Sequence, residues 1–143
     1  MSTAPSQGSL HPSIEVEWRG GSEFEAGRAG GPTIRIDADA KRAPSPFDVL
    51  LASLATCASV DIVTILQKQR TPVSSLHVRV EARRVATTPR HLASATLHFA
   101  IDAPGTTSQK VARAVELSVT KYCSVRSSLI ADAPVTWTIE LRS

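Results

Sequence analysis

The stretch that decides the fold is PSPFDVLLASLATCASVDIVTIL, residues 44–66. Ser45 is a suitable N-cap, Pro46 suits the first helical position, and Asp48 puts a negative charge in the first turn, where the helix dipole favours it. From there to about Gln69, apolar residues dominate nearly all round. A helix that is apolar on most faces is a buried one. The pattern therefore predicts a buried helix that is about 30 Å or more long at 1.5 Å per residue.

The segments on both sides of this helix alternate apolar and polar residues, as half-buried strands do. Because the strands come in hairpins rather than singly between helices, the chain is expected to have an α+β fold. The predicted order is strands at 14–18, 23–26 and 33–37, the long helix, strands at 73–85 and 95–101, a helix capped by Thr107 or Ser108, a short helix within 124–130, and a strand at 135–141.

Length and composition indicate one globular domain. The chain has 143 residues, of which 42% are hydrophobic and 20% charged, which is ordinary for a soluble protein. We expect residues 13–143 to form a single domain, and residues 1–12, rich in Ser, Pro and Gly, to be a flexible tail. The formal charge of +3 is mild and the basic residues are scattered, so a nucleic-acid partner is not expected.

Neither a membrane nor a secretory route is expected. We expect no segment to approach the roughly 18 apolar residues that a membrane span needs. Residues 1–8 contain no basic region followed by an apolar run, so we expect no secretory signal. The expected compartment is the cytoplasm, where a disulfide is more often transient and catalytic than structural.

The chain has two cysteines, Cys57 in the long helix and Cys123 after the second helical segment. Neither has a Cys or His beside it at the spacing of a zinc site, so no metal and no cofactor is predicted. The residues alone leave three possibilities open: two buried bystander thiols, a structural disulfide, or a thiol–thiol redox couple.

The contexts of the two cysteines resemble those of the OsmC/Ohr family of thiol-dependent peroxidases. Residues 44–66 carry the proline-serine-proline, the leucine pair, the cysteine and the aspartate in the family's order, and KYCSV, residues 121–125, looks like its second cysteine motif. The resemblance covers roughly residues 13–141. It implies an intertwined homodimer in which antiparallel sheets wrap two long central helices.

The resemblance also implies reduction of organic hydroperoxides, with Cys57 as the peroxidatic and Cys123 as the resolving residue. A thiolate attacks the peroxide, the resulting sulfenic acid condenses with the second thiol, and an external dithiol reduces the disulfide. A buried Cys57 needs a cation to ionise. Arg42, in the loop before the helix, and Arg28, in a flexible glycine-rich turn, are the candidates for it.

This chain departs from the family's best-characterised members, in which a glutamate directly follows the helix-opening proline. Phe47 stands there, and Asp48 comes one position later; we expect Asp48 to interact with the helix dipole rather than with the peroxide. Asp61, four residues after Cys57, shares its helix face and is expected to be a structural hydrogen-bond partner. The alternative function is a non-catalytic protein of the same fold that binds a small apolar ligand. A third is a structural protein whose cysteines belong to the core.

Overall fold

The computed structural model describes residues 6–142. The chain divides into two compact units, residues 1–49 and 50–143. Residues 6–12 of the predicted tail are exposed and belong to no helix or strand, while residues 1–5 lie outside the described part. The elements are β1 (Ile14–Trp18), β2 (Glu23–Arg28), β3 (Thr33–Asp37), α1 (Pro46–Lys68), β4 (Ser75–Arg84), β5 (Leu92–Asp102), α2 (Ser108–Leu117), a π-helical turn (Ser118–Tyr122), α3 (Ser124–Ser127) and β6 (Val135–Arg142).

The first unit contains an antiparallel sheet in the order β1-β2-β3. Val16 pairs with Ala26, and Ala26 with Ile34, so these three side chains form one row across the sheet. Directly paired residues share a face, which makes this face apolar. Trp18 and Val16 are 67% and 61% exposed. One apolar face of the first unit is therefore largely open to solvent.

A buried carboxylate organises the loop between β3 and α1. Asp37 accepts hydrogen bonds from the Ser22 hydroxyl at 2.6 Å and from the backbone N–H groups of Asp39, Lys41 and Arg42 at 2.9, 3.2 and 3.0 Å. The Ser22 hydroxyl and the backbone N–H groups together hold the pKa of this carboxyl far below its usual range. The loop that leads to the long helix therefore folds around one negative charge.

The predicted start of α1 is confirmed by reciprocal capping. The N–H of Asp48 donates to Ser45 Oγ at 3.1 Å, and the N–H of Ser45 donates to Asp48 Oδ2 at 2.9 Å. This pattern is a capping box, with aspartate in place of the usual glutamate. The Asp48 carboxylate therefore caps the start of α1, where the sequence predicted that it would interact with the helix dipole.

The long helix is 23 residues long and is buried along one stripe rather than all round. Leu54, Ala58, Ile62 and Leu66 recur every four residues and are fully buried, as expected for one face of a helix. On other faces, Val60 is 58% exposed. The expectation of a helix buried on nearly all sides is thus wrong, because the described residues cover the other faces of α1 only in part.

By length and composition alone, α1 is apolar enough to cross a membrane. The expectation that no segment approaches this limit is therefore wrong, because the interspersed Ser and Thr do not offset the many Ala, Val, Ile and Leu residues. Core helices of soluble proteins pass the same test. The fully buried stripe of α1 packs into the core of the second unit.

The second unit contains a mixed sheet in the order β4-β5-β6. β4 pairs with β5 antiparallel, as predicted for a hairpin, but β6 runs parallel to β5. Purely antiparallel sheets were expected. The sheet is mixed because the helices between β5 and β6 form a crossover, and a crossover returns the chain in its original direction.

The core of the second unit joins three elements. The central strand β5 contributes Leu97, Phe99 and Ile101, all at most 1% exposed. α1 contributes its buried stripe, and α2 contributes Val111, Ala114 and Val115. The predicted Thr107 cap of α2 is confirmed, since its hydroxyl accepts from the N–H of Lys110 at 3.2 Å.

Candidate active site

Cys57 lies near the middle of α1, between the buried residues Leu54 and Ala58. Its side chain is half-buried rather than buried as expected. The position on α1 leaves the sulfur at the margin of the buried stripe, since the residue before it, Thr56, is exposed. A sulfur in this position is ordered by the helix and still open to a reagent.

Cys123 is placed by two irregular turns. α2 ends in the π-helical turn Ser118–Tyr122, and Cys123 follows it with an extended backbone as the N-cap of α3. The sulfur itself acts as the cap, because Cys123 Sγ accepts a hydrogen bond from the N–H of Arg126 at 3.4 Å. The residue is buried. The π-helical turn is the kind of irregularity that often occurs at functional sites.

The fold places the two thiols beside each other, close enough for each to shift the pKa of the other. Cys123 Sγ also lies 4.0 Å from the carbonyl oxygen of Leu54, one turn before Cys57 on α1. On the other side, Cys57 Sγ lies 3.8 Å from Ser124 Oγ. The start of α3 therefore contacts α1 through both cysteines.

Hydrogen bonds, rather than a cation, favour the thiolate of Cys57. Burial alone would raise the pKa of Cys57. The backbone N–H of Val125, the thiol of Cys123, and the hydroxyl and N–H of Ser124 outweigh that effect and lower the pKa of Cys57 below its usual value. The backbone donors were not foreseen from the sequence, and the expectation of an activating arginine stays a prediction.

The pKa of Cys123 is shifted the other way. Burial raises the pKa of the Cys123 thiol, and the hydrogen bond to Cys57 and the charge of its thiolate raise it further, against the opposing N–H of Arg126. The two thiols thus differ in ionisation because of their surroundings. The surroundings of Cys57 favour the nucleophilic thiolate, whereas those of Cys123 favour the protonated thiol.

The two predicted arginines belong to the first unit. Arg28 is the last residue of β2, not part of the glycine-rich turn as expected, and the turn after it is closed by the N–H of Gly31 donating to Arg28 O at 2.9 Å. Arg42 is exposed, with Nη1 3.9 Å from Glu23 Oε2. Their approach to Cys57 stays a prediction. Asp61 is half-buried on α1, one turn after Cys57, and its structural role also stays a prediction.

Sequence reasoning missed the contribution of residues 124–126. They were interpreted only as part of a short helix, and the signal in the sequence is simply that they follow Cys123. Ser124 and Val125 supply donors to Cys57, and the N–H of Arg126 donates to Cys123. The Nε atom of Arg126 is itself buried and has no hydrogen-bond partner among the described residues.

Among residues 6–142, no three His, Cys, Asp or Glu side chains are grouped so that they could hold a metal ion. The chemistry that this site can offer with its own residues is that of two sulfurs. These can exchange between a pair of thiols and a disulfide.

Comparison with known proteins gives the same architecture. The family model "OsmC-like protein" matches residues 37–140. Protein YhfA of Escherichia coli K12 is 35% identical over 127 residues, which cover 88% of this chain and 95% of that protein. These two matches rest on sequence and span most of the chain.

Two solved structures share the fold. The OsmC-like protein from Mycoplasma pneumoniae has a TM-score of 0.80 at 18% identity, with 94% of this chain and 99% of that chain covered. The organic hydroperoxide resistance protein OhrB of Bacillus subtilis has a TM-score of 0.59 at 14% identity, with 93% and 98% covered. With the family model and the YhfA relative, they lead to one conclusion: this chain belongs to the OsmC/Ohr family of OsmC-like proteins.

Proposed function

We propose that this protein is a thiol-dependent peroxidase that reduces organic hydroperoxides, with Cys57 as the attacking sulfur and Cys123 as the resolving one. The observation that carries the proposal is that Cys57 and Cys123 are neighbours where the start of α3 meets α1, with their pKa values shifted in opposite directions. A redox or stress role is suggested by the family and by neighbours named for organic hydroperoxide resistance.

The proposed cycle has three balanced steps. The Cys57 thiolate attacks the terminal peroxide oxygen, the O–O bond breaks, and the alkoxide takes a proton to leave as an alcohol, which oxidises Cys57 to a sulfenic acid. The Cys123 sulfur then displaces water from that sulfenic acid and forms the Cys57–Cys123 disulfide. An external dithiol reduces the disulfide and becomes a disulfide itself.

The surroundings of each sulfur suit its proposed step. The half-buried Cys57 can meet a hydroperoxide, whereas the buried Cys123 is reached from inside the protein. Because the second sulfur is already in contact with the first, the sulfenic acid is trapped before a second peroxide can oxidise it further. This cycle uses no metal or cofactor, and its reductant fits the cytoplasm, where dithiols are abundant.

We also propose that a cation from Arg28 or Arg42 assists the peroxide. A guanidinium keeps its charge when desolvated and can bind two oxygen atoms at once. Arg28→Met and Arg42→Met are the variants to compare. We expect one of them to lower kcat/KM for cumene hydroperoxide by about 100-fold, the cost of removing one positioned donor to a developing oxyanion, and the other to leave it within about twofold.

The single domain is proposed to work as a homodimer. Ile14, Val16 and Trp18 alternate on β1 and are each more than half exposed, and α1 leaves Val60 uncovered. Exposed apolar surfaces of this kind mark interaction sites. Light scattering after size-exclusion chromatography should give twice the chain mass of 15.2 kDa, and Trp18→Glu should lower it toward the monomer. Ile130→Glu, at a residue that is 51% exposed in the second unit, is the matched control.

The peroxidase proposal is tested by counting thiols and hydroperoxide together. One equivalent of cumene or t-butyl hydroperoxide should remove both thiols of the reduced wild type and none beyond background in Cys57→Ser. Cys123→Ser should lose one thiol and give a sulfenic acid that dimedone captures. With dithiothreitol as the reductant, the protein should consume these organic hydroperoxides faster than it consumes hydrogen peroxide. If Cys57→Ser consumes hydroperoxide as fast as wild type, the proposal is wrong.

The second candidate is a non-catalytic protein that binds a small apolar ligand. Phe47 in place of the glutamate of the best-characterised family members favours it. This function predicts that fatty acids or intact hydroperoxides raise the melting temperature, while neither thiol is lost. Measuring melting and thiol content in the same samples separates the two candidates.

A further inference from the structure

Ser124 is the side chain outside the cysteine pair that reaches Cys57. Its Oγ lies 3.8 Å from Cys57 Sγ, and its backbone N–H lies near enough to that sulfur to favour the thiolate. The residue opens α3 directly after Cys123. Ser124 therefore offers two donors to one sulfur from a single position, while the neighbouring Cys123 sulfur is engaged with the N–H of Arg126 instead.

We infer that Ser124 helps to hold the Cys57 sulfur as a thiolate through its hydroxyl and backbone N–H, and so favours Cys57 over Cys123 as the sulfur that reacts first. Ser124 is thus a positioning and ionising residue for the sulfur pair. The inference deepens the proposed function, and its consequence for peroxide turnover rests on that function. The ionisation of the two thiols can be measured whether or not the protein reduces a hydroperoxide.

The direction of the pKa shifts agrees with this assignment. A thiolate is an acceptor with no proton to give, so each added donor favours it over the thiol. Burial raises the pKa of Cys57, and the N–H of Val125, the thiol of Cys123, and both the hydroxyl and the N–H of Ser124 lower it below its usual value. Cys123 is the titratable group in contact with Cys57. The charged side chains on the same two helices are Asp48 and Lys68 in the first and last turns of α1, Asp61 one turn after Cys57, and Arg126 on α3.

Two substitutions remove the donors in steps. Ser124→Ala removes the hydroxyl and keeps the N–H. Ser124→Pro removes both, and the backbone can accept it, because Ser124 is the first residue of α3 and Cys123 before it has φ −73° and ψ 102°. Proline suits that helical position, and an extended residue suits the place before proline. Ser127→Ala, at an exposed serine of the same helix, is the matched control.

The readout is the pH profile of alkylation by iodoacetamide of the fully reduced protein, with each cysteine followed separately by peptide mass spectrometry. At pH 7 we expect alkylation of Cys57 to slow about threefold in Ser124→Ala and about tenfold in Ser124→Pro, as hydrogen bonds to a charged acceptor are lost. Ser127→Ala should match wild type. At high pH, both Ser124 variants should react faster than wild type, because a more basic thiolate is the stronger nucleophile.

That crossing of the profiles separates ionisation from a structural defect, which would change reactivity in the same direction at every pH. If Ser124→Pro does not fold, Ser124→Ala alone decides. Wild-type profiles in a folded Ser124→Ala, or a shift of Cys123 instead of Cys57, would overturn the inference. Crossing profiles in a protein that turns over no hydroperoxide would support the inference and reject the peroxidase function.

Discussion

Oxidation of the two cysteines to a disulfide should stabilise the folded chain by an amount that the loop length sets. Cys57 and Cys123 are 66 residues apart (123 − 57). Closing a loop of that length in the unfolded chain removes conformational entropy worth about 4 kcal/mol at 25 °C. The two thiols are neighbours in the reduced fold, so we expect the native state to form the bond with little distortion. Most of the entropic gain should therefore be retained.

The assay compares reduced and hydroperoxide-oxidised protein in urea and in thermal melts, at one protomer concentration because self-association also contributes to stability. For a chain of this size, about 4 kcal/mol corresponds to a rise in melting temperature of about 10 °C. Cys123→Ser, which cannot form the bond, should show no gain on the same treatment. Protein that carries the intramolecular disulfide by mass spectrometry, yet melts below the reduced form, would refute the reasoning. That result would mean that the sulfurs cannot bond without straining α1 and α3.

Three further outcomes follow from the described contacts. The carboxylate of Asp37 has a lowered pKa in the folded protein. Its contribution to the free energy of unfolding is therefore fully present above the unfolded pKa of about 3.9 and is lost as pH falls toward the lower folded value. The urea midpoint of Asp37→Asn should differ from that of wild type more at pH 7 than at pH 2. Ser45→Ala should cost about 1 kcal/mol in urea unfolding by removing one half of the capping box, and an unchanged midpoint would contradict that role. Leu66→Ala, at a fully buried site, should cost about 3 kcal/mol, whereas Leu10→Ala, at a residue 96% exposed, should stay within about 0.5 kcal/mol; equal costs would contradict the packing of α1.

Local patterns predicted the elements well, because their causes are local. β1 and β3 have the bounds that alternation predicted, and α1 begins at the predicted proline and ends one residue before the predicted end. Caps and alternation act over a few residues, so the sequence carries them directly. The direction of β6 was predicted wrongly because strand direction depends on how a crossover of some thirty residues returns to the sheet.

Only part of the candidate site could be predicted from the sequence. The resemblance pointed to Cys57 and Cys123, but the residues alone left their relationship open. The donors from residues 124 and 125 were not foreseen, since backbone N–H groups are present at every position and only geometry makes two of them converge on one sulfur. These neutral groups lower the pKa of Cys57, and the contribution of a guanidinium stays a prediction.

The sequence by itself determined the order of helices and strands, the capped start of the long helix, and the family to which two short motifs point. Those features depend on residue spacing, which a linear chain records. Only the tertiary structure decided that the two sulfurs meet, that β6 runs parallel to β5, and that the start of α3 faces Cys57. Each of these requires residues far apart in the chain to share one place, and that proximity is created by packing around a common core.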